Sequence, residues 1–544
     1  CSLVGSEMCI RDSHMMKECA ERLFAQLPAA RQTEVWQRYG RWYAQKAQYL
    51  HALQAFEHCG DRDAALAVIE ADAGNLLASL SPAELLQRLD RCPVEALQRH
   101  PLAILVLMRR MFTWQQIPKM MELKALLEAA VAQHPAWPAA ERGNLLGECD
   151  LIQSFLFYND ITQMSRLHRS ASRQMSRPAV TLRNSGSWTF GSPSVLMMYY
   201  RAPGELGKEL AEMYECMPHY YKITNGHGRG AELLMDAEAA YLRGAWEKAA
   251  VLLERARADA AGQENMTLCC DFLALRLALC GKGKEGYDFA AKRAALLQKH
   301  DGVQVHLLES IAAYFYALQG RPEQAPELFR EHKLAEVSFF GPCRPMMSLI
   351  EQQVWLAQGE YVKVIAHSEG LLRRCEAMHY GLVGLQARIQ LAAAQLHFGQ
   401  RAEARAALAA ALLDAVQDDF WVLFVEQYPA LAPLLEGEDW AVCEPRLGPF
   451  VARILPAGRA FAARLGLPAP APAPELPLTD RDRELARLVA GRCTNKEIAA
   501  ALYLSEGTVK QYINQLYAKL DMGGDPRTRR ARLAEWYQKN APRN

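Results

Sequence analysis

Residues 239–253 read AAYLRGAWEKAAVLL, where one apolar helix ends at Gly244 and a second begins at Trp246. Apolar residues recur every three or four positions on both sides of the glycine, which predicts two amphipathic helices joined by a tight turn. Glycine takes the left-handed conformation that ends many helices without steric cost. The stretch therefore predicts a helical hairpin.

The hairpin pattern recurs along the chain at a nearly constant period. Helix-ending glycines stand 37, 39, 39 and 40 residues apart, at Gly244, Gly281, Gly320, Gly359 and Gly399. Small residues follow several of these turns and permit close helix packing, as at Ala249, Ala325 and Ala404. One hairpin cannot bury its apolar face alone, so such repeats stack into an array. The sequence predicts an all-α, tetratricopeptide-like solenoid whose concave face binds an unidentified small-molecule or protein effector.

The sequence around this array is less regular. Similar helix pairs are predicted around Gly60 and after Pro101, whereas loop-rich stretches lie between Arg177 and Gly230. The loop SWTFG carries Trp188 and Phe190, which are expected to anchor it in the core rather than to line an effector pocket. The array is therefore expected to start near the N-terminus and to be interrupted once.

Composition limits the classes of protein that fit. A chain of 544 residues exceeds one core, and a net charge of +1 confines any nucleic-acid surface to a local patch. The fourteen cysteines show no metal-ligand spacing and are typical of reduced thiols in a cytoplasm. No apolar run is long enough to span a bilayer, and no signal peptide is recognised. We therefore expect a cytoplasmic protein without a metal site or a membrane partner.

Several weaker signals are interpreted as structural. The glycine-rich stretches KITNGHGRG (222–230) and GKGKEG (281–286) lack phosphate-loop spacing and are interpreted as helix connections. His219, His227 and His397 have no partners at metal-ligand spacing and are interpreted as surface or packing residues.

Residues 478–522 read LTDRDRELARLVAGRCTNKEIAAALYLSEGTVKQYINQLYAKLDM and differ in pattern from the repeats. Hydroxyl side chains at Thr479, Thr494 and Ser505 mark three helix starts, of which only Thr494 with Glu497 is expected to form a full capping box. Gly491 is expected to end the first helix. Two helices joined by a tight turn form a helix-turn-helix pattern.

The third helix of this pattern predicts which residues meet DNA. At 100° per residue one face gathers the core residues Val509, Tyr512, Ile513, Leu516 and Leu520. The opposite face carries Lys510, Gln511 and Asn514 together with the small residues Gly507 and Ala518. Lysine donates to guanine and amides pair with adenine in the major groove. We therefore predict Lys510, Gln511 and Asn514 as base-reading residues.

A second set of residues is predicted to hold phosphates or to permit close approach of the DNA backbone. These residues cluster at helix N-termini, where N–H groups and hydroxyls suit phosphate oxygens. They are Thr494, Asn495, Lys496, Ser505, Gly507, Thr508 and Lys519. Residues 476–544 carry thirteen Lys and Arg against eight Asp and Glu, and this local cationic excess suits phosphate neutralisation.

The stretch closely resembles the LuxR-type helix-turn-helix family at positions that include Leu478, Thr479, Gly491, Asn495, Lys496, Glu497, Ile498, Ser505, Thr508, Val509, Lys510 and Lys519. It departs at Tyr512 and Gln515, where the family usually has His and Asn, and in the longer connection GGDPRTRR after Met522. The resemblance implies double-stranded promoter DNA as a partner. It also implies a homo-oligomer on DNA, with a fourth helix at about Pro526 to Lys539 as the dimerisation element.

Repeats, linker and terminal domain together resemble the large ATP-dependent LuxR regulators, in which an ATPase domain and a winged helix precede a repeat sensor. No GxxxxGK[ST] phosphate loop occurs, so we expect no cofactor in this chain and ATP only in a longer full-length protein. Residues 1–13, CSLVGSEMCIRDS, resemble a translated sequencing adapter, which predicts that the chain is truncated.

The predicted segments follow from these patterns. They are a non-native tail (1–13), a helical remnant of the junction between winged helix and sensor (14–90), helical repeats with irregular loops (91–230), the repeat sensor (231–465), an Ala/Pro linker (466–475) and the LuxR-type domain (476–544). We predict a bacterial, non-enzymatic transcription regulator, with activation as the expected sense, in which the sensor controls the DNA-binding domain. Two alternatives stay open: a fragment of a signalling ATPase, and a repeat scaffold whose terminal domain binds protein.

Overall fold

A computed structural model of the chain describes residues 18–19, 21–182, 186–283, 286–299, 302–467, 479–520 and 526–540. Every regular element in these ranges is a helix, which confirms the all-α prediction. The chain divides into two compact units, one within 1–157, 163–183 and 222–225, the other within 158–162, 184–221 and 226–544. The adapter-like residues 1–13 and linker residues 468–475 lie outside the described residues. The segment boundaries predicted from sequence stay predictions.

The first unit is built of α-helices of 6 to 17 residues. Its α-helices are Ala29–Gln45, Tyr49–His58, Arg62–Ala71, Pro82–Asp90, Val94–Arg99, Pro101–Thr113, Ile117–Gln133, Ala139–Ser154 and most of Ile161–Gln174, with 3₁₀ turns at Asn75–Ser79 and Phe155–Phe157. The helix pairs predicted around Gly60 and after Pro101 are present. Asp61 caps its helix by accepting from the Ala64 N–H at 3.1 Å, and Ile104, Leu105 and Met108 are fully buried in the core.

The second unit contains the repeat region and the terminal domain. Its α-helices are Val195–Tyr199, Leu206–Thr224 up to Tyr221, Ala231–Leu242, Trp246–Asp259, Glu264–Leu279, Phe289–Gln298, Gly302–Leu318, Glu327–Arg330, Arg344–Ala357, Tyr361–Met378, Gly381–His397, Arg401–Asp418, Val422–Glu426, Tyr428–Leu435, Leu447–Arg464, Asp480–Ala490, Asn495–Leu502, Glu506–Lys519 and Pro526–Asn540. Its 3₁₀ turns are Pro322–Gln324, Leu334–Glu336, Gly341–Cys343 and Trp440–Val442.

The glycine period marks the hairpins as predicted. The glycines at 244, 281, 320, 359 and 399 all have φ between +68° and +84° and follow a first helix directly. The alanines at 249, 325 and 404 are at most 1% exposed. Each first helix packs against the first helix of the next hairpin, from Ala231–Leu242 through Gly381–His397. The sequence therefore locates the turns and the close-packing positions correctly.

The third hairpin differs from its prediction. Its first helix, Gly302–Leu318, is long, but the second is reduced to a 3₁₀ turn at Pro322–Gln324 and one helical turn at Glu327–Arg330. Pro326 is the physical reason, because a proline forces the preceding residue out of the helical region. Ala325 accordingly has ψ of 144°. The predicted second helix of this hairpin is wrong.

The interruption before the repeats is partly helical. The predicted loop around Trp188 is present, and Trp188 is 7% exposed and stacks on Tyr199 with ring centroids 5.5 Å apart. The Thr189 N–H donates to the Asn265 side chain at 3.1 Å, so the loop is anchored in the core. Sequence analysis did not predict the 19-residue helix Leu206–Thr224, which carries an internal proline.

A segment near the end of the repeat region lies across the first helices of the hairpins. We call residues 420–427 the crossing segment. Its Glu426 carboxylate accepts from Arg276 at 2.8 and 3.0 Å, from the Tyr241 hydroxyl at 2.6 Å and from the Tyr314 hydroxyl at 3.3 Å. Its Gln427 side chain donates to Gln353 at 2.6 Å. Four successive first helices thus contact two adjacent residues of the same chain.

None of the helices within the described ranges is long and apolar enough to cross a bilayer.

Candidate nucleic-acid interface

Side-chain caps begin the three helices of the terminal domain. The Thr494 hydroxyl accepts from the Glu497 N–H at 3.3 Å while the Glu497 carboxylate accepts from the Thr494 N–H at 2.6 Å, as predicted. Thr479 and Asp482 form a second full capping box, with distances of 3.1 and 2.9 Å. The expectation of a single full box is therefore wrong, because the shorter aspartate side chain also reaches back to the cap.

The turns between these helices use left-handed residues other than glycine. Gly491 ends the first helix as predicted, but its φ is −72°, and the left-handed residue is Arg492 with φ of +60°. Tyr503 ends the second helix with φ of +54°, and its side chain is 95% exposed. The two turns thus join the first, second and third helices of the domain.

The recognition helix (Glu506–Lys519) has one buried and one exposed face. Val509, Ile513 and Leu516 are at most 4% exposed and pack with Leu485 and Ile498, while Tyr512 and Leu520 lie at the core's edge. The core face predicted from the helical wheel is therefore confirmed. The side chains predicted to read bases are exposed on this helix, at Lys510, Gln511 and Asn514.

The residues predicted to hold phosphates lie at the starts of two helices, and several of them also stabilise the domain. Thr494 is engaged in its capping box, and the Ser505 and Thr508 hydroxyls lie 2.7 Å apart. The Asn495 side chain accepts from Arg530 at 2.8 Å, and Arg530 also donates to the Cys493 carbonyl at 2.5 Å. Sequence reasoning missed Arg530, because it lies 35 residues beyond Asn495 in the fourth helix.

The other predicted phosphate and close-approach residues are exposed or not described. Lys496 and Gly507 are exposed, so both are open to a ligand in the described structure. Lys519 lies at the end of the recognition helix, but its side chain and that of Ala518 lie outside what the structure describes. The connection after Met522 lies within the undescribed residues 521–525.

The fourth helix, Pro526–Asn540, matches the predicted range within one residue. Leu533 is fully buried, and Trp536 and Tyr537 pack against the same core as the recognition helix. At one of the two positions that depart from the family, the Tyr512 ring lies 5.5 Å from the Arg481 guanidinium carbon. The tyrosine therefore packs under a cation of the first helix.

The 222–230 stretch and two of the three histidines have structural roles, whereas residues 284–285 of the GKGKEG stretch lie outside the described residues. Asn225 and the three glycines of 226–230 have left-handed φ and connect two helices. His227 lies 2.8 Å from the Tyr220 hydroxyl and His397 stacks on Tyr361 at 4.9 Å, where burial lowers the pKa of His397. Within the described ranges no three His, Cys, Asp or Glu residues cluster in a way that suits a metal ion.

The helices Asn495–Leu502 and Glu506–Lys519 are joined by a tight turn, and the second of them exposes one polar face. This arrangement defines a helix-turn-helix domain of the DNA-binding type. Residues 476–528 match the model of the family described as bacterial regulatory proteins, luxR family. The chain therefore carries a luxR-family helix-turn-helix domain in its C-terminal part.

Sequence relatives match short stretches of the chain. The chain is 46% identical over 61 residues to the uncharacterized transcriptional regulatory protein YvfU of Bacillus subtilis, covering 11% of this chain and 30% of that protein. It is 38% identical over 86 residues to the DNA-binding transcriptional activator DevR/DosR of Mycobacterium tuberculosis, covering 16% of this chain and 39% of that protein. The chain thus spans less than half the length of the relatives it matches. No solved structure matches the chain.

Proposed function

We propose that this protein is a DNA-binding transcription regulator in which the repeat region controls a luxR-family domain. The observation that carries the proposal is the recognition helix, whose Lys510, Gln511 and Asn514 are exposed opposite a fully packed face. Lysine and amide side chains suit base edges in the major groove, and a helix of this size enters that groove. Promoter DNA is accordingly the proposed partner.

The finer parts of the proposal rest on resemblance. Activation is the proposed sense, and it is supported by a relative that is named a transcriptional activator and matches 86 residues of the chain. A small-molecule or protein effector is proposed to act on the repeat region. The fourth helix is proposed to bring two copies together on DNA.

The test measures binding of full-length variants to genomic DNA fragments selected with the wild-type chain. Lys510→Ala is expected to weaken binding to the selected sequence by roughly 1 to 3 kcal/mol and to relax the base preference at one position. Lys496→Ala is expected to weaken binding to all DNA sequences alike and to reduce the salt dependence of binding.

Arg487→Ala serves as the matched control, because Arg487 is exposed but pairs with Glu484 at 2.8 Å on the first helix. It removes a cation that is not predicted to touch DNA. Equal affinities and unchanged footprints for Lys510→Ala, Lys496→Ala and the control would refute the proposed interface.

A further inference from the structure

The recognition helix lies against the repeat region within the second unit. Gln511, Asn514 and Gln515 line a cavity of about 130 Å³ whose other walls come from the second helix of the fourth hairpin and the turn of the fifth. These walls are Val362, Ile365, Phe398 and Gln400, and we call them the docking surface. Two of the three residues proposed to read bases therefore face the protein's own repeats.

The burial of Val362 shows that the docking surface is covered from outside its hairpin. The helix Tyr361–Met378 buries Val364, Ser368 and Leu371 on one stripe, and Val362 precedes Val364 by two residues. Two residues correspond to about 160° around a helix, so Val362 points away from that stripe. It is nevertheless only 3% exposed.

Other hairpins provide the comparison. Glu247 and Ala402 occupy the same position, two residues before the buried alanines at 249 and 404, and both are exposed. Val362 is the only branched apolar residue of the three, and it is also the only one that is buried. The residues that share its cavity are those of the following turn and of the recognition helix.

The recognition helix shows matching burial on its side. Gln515 is 7% exposed, although it lies at least about 100° around the helix from each core residue Val509, Ile513 and Leu516. Burial also raises the pKa of Tyr512, and the charge of Glu360, which directly precedes the helix Tyr361–Met378, contributes to the rise. Both observations place the middle of the recognition helix against the second helix of the fourth hairpin.

We propose that the docking surface is an internal binding site for the recognition helix and competes with DNA for its reading face. The inference rests on the proposed function. A recognition helix must enter a groove roughly 12 Å wide to bring its side chains to base edges. Gln511 and Asn514 are exposed to solvent, but repeat residues line the same cavity, which is far too small to admit a DNA duplex between them and the repeats. DNA binding then requires the domain to leave the docking surface.

Under this competition only the undocked molecules bind DNA. The apparent affinity for DNA is therefore the intrinsic affinity multiplied by the undocked fraction. An effector that binds the undocked form better shifts the population toward it, by as much as its difference in affinity for the two forms. The docking surface thereby gives the repeat region a direct means of controlling the terminal domain.

The test uses the full chain with Val362→Asp, which places a charge in the covered site. The matched control is Ala402→Asp, which places the same charge at the equivalent exposed position. The probe is a 30-base-pair duplex of mixed sequence at low salt, and hydrogen exchange of residues 506–519 is followed in parallel. We expect Val362→Asp to bind the duplex at least about tenfold more tightly and to exchange faster, while Ala402→Asp matches the wild type.

The two readouts separate this inference from the proposed function. Faster exchange in Val362→Asp without any duplex binding would retain the docking surface but refute DNA binding. Unchanged exchange together with unchanged affinity would overturn the docking surface and leave DNA binding intact. If Val362→Asp does not fold, Gln515→Glu probes the same contact from the recognition helix by hydrogen exchange alone, and an unchanged rate again overturns the inference.

Discussion

Replacement of Arg276 by methionine is predicted to destabilise the second unit strongly and in a pH-dependent way. The Arg276 and Glu426 side chains are 3% and 2% exposed and share two hydrogen bonds at 2.8 and 3.0 Å. The guanidinium carbon also lies 4.7 Å from the centre of the Tyr241 ring. Methionine fills similar volume but leaves the carboxylate buried without its cation.

The size of the effect follows from that stranded carboxylate. Removal of one partner of a buried ion pair typically costs about 3 to 5 kcal/mol. Protonation limits the cost, because placing a proton on an ordinary glutamate carboxylate takes about 3.7 kcal/mol at pH 7 and about 1 kcal/mol at pH 5. We therefore expect Arg276→Met to lower the free energy of unfolding by about 3 to 4 kcal/mol at pH 7 and by about 2 kcal/mol less at pH 5.

Urea unfolding of the full chain at both pH values measures the effect. Arg293→Met is the matched control, because Arg293 pairs with Glu309 at 3.0 Å but is 50% exposed, and its loss should cost no more than about 1 kcal/mol. The double variant Arg276→Met/Glu426→Leu should recover much of the lost stability, since neither charge is then left alone. A penalty equal to that of Arg293→Met, or one independent of pH, would refute the crossing-segment contacts.

Three further predictions concern stability. Thr479→Ala should lower the free energy of unfolding of the terminal domain by about 1 kcal/mol in urea, whereas Thr479→Ser should retain it; equal losses would contradict the capping role. Tyr503→Gly should raise thermal stability by roughly 1 kcal/mol because it removes a left-handed side chain that packs against nothing, and Tyr503→Ala, which keeps the Cβ, should not. Burial raises the pKa of Glu238 to about 7, so its contribution to stability is present near pH 4.5 and is lost as the pH rises to 7. The free energy of unfolding of Glu238→Gln, relative to that of the wild type, should therefore rise by up to about 3 kcal/mol from pH 5 to pH 8. Parallel pH profiles of the two proteins in urea unfolding would contradict this.

Local signals in the sequence predicted most of the fold. The glycine period predicted five turns correctly, because the residue that takes the left-handed conformation is itself the glycine seen in the sequence. The hydroxyl caps likewise predicted the helix starts of the terminal domain. The helical wheel of the recognition helix separated Val509 and Ile513 from Lys510 and Asn514 because one helix decides which residues share a face. Pro326 is also a local signal, because a proline pushes the preceding residue, Ala325, out of the helical region.

Long-range polar contacts could not be predicted in the same way. Glu426 stands in a short apolar helix, and nothing beside it in the sequence indicates that its partner is Arg276, 150 residues earlier. Arg530 likewise gives no sign that it holds Asn495, since any cation of the fourth helix has the same local pattern. Such contacts arise from packing of the whole unit, which periodicity does not specify.

The crossing segment also ties three successive hairpins of the repeat region to one side chain. Repeat arrays ordinarily touch only their neighbours, so they unfold in stages and tolerate the gain or loss of a unit. Here one glutamate binds side chains 185, 150 and 112 residues upstream, in three successive hairpins. Deletion or duplication of any of these hairpins would move one partner out of reach of the others. These three hairpins should therefore unfold in a single step.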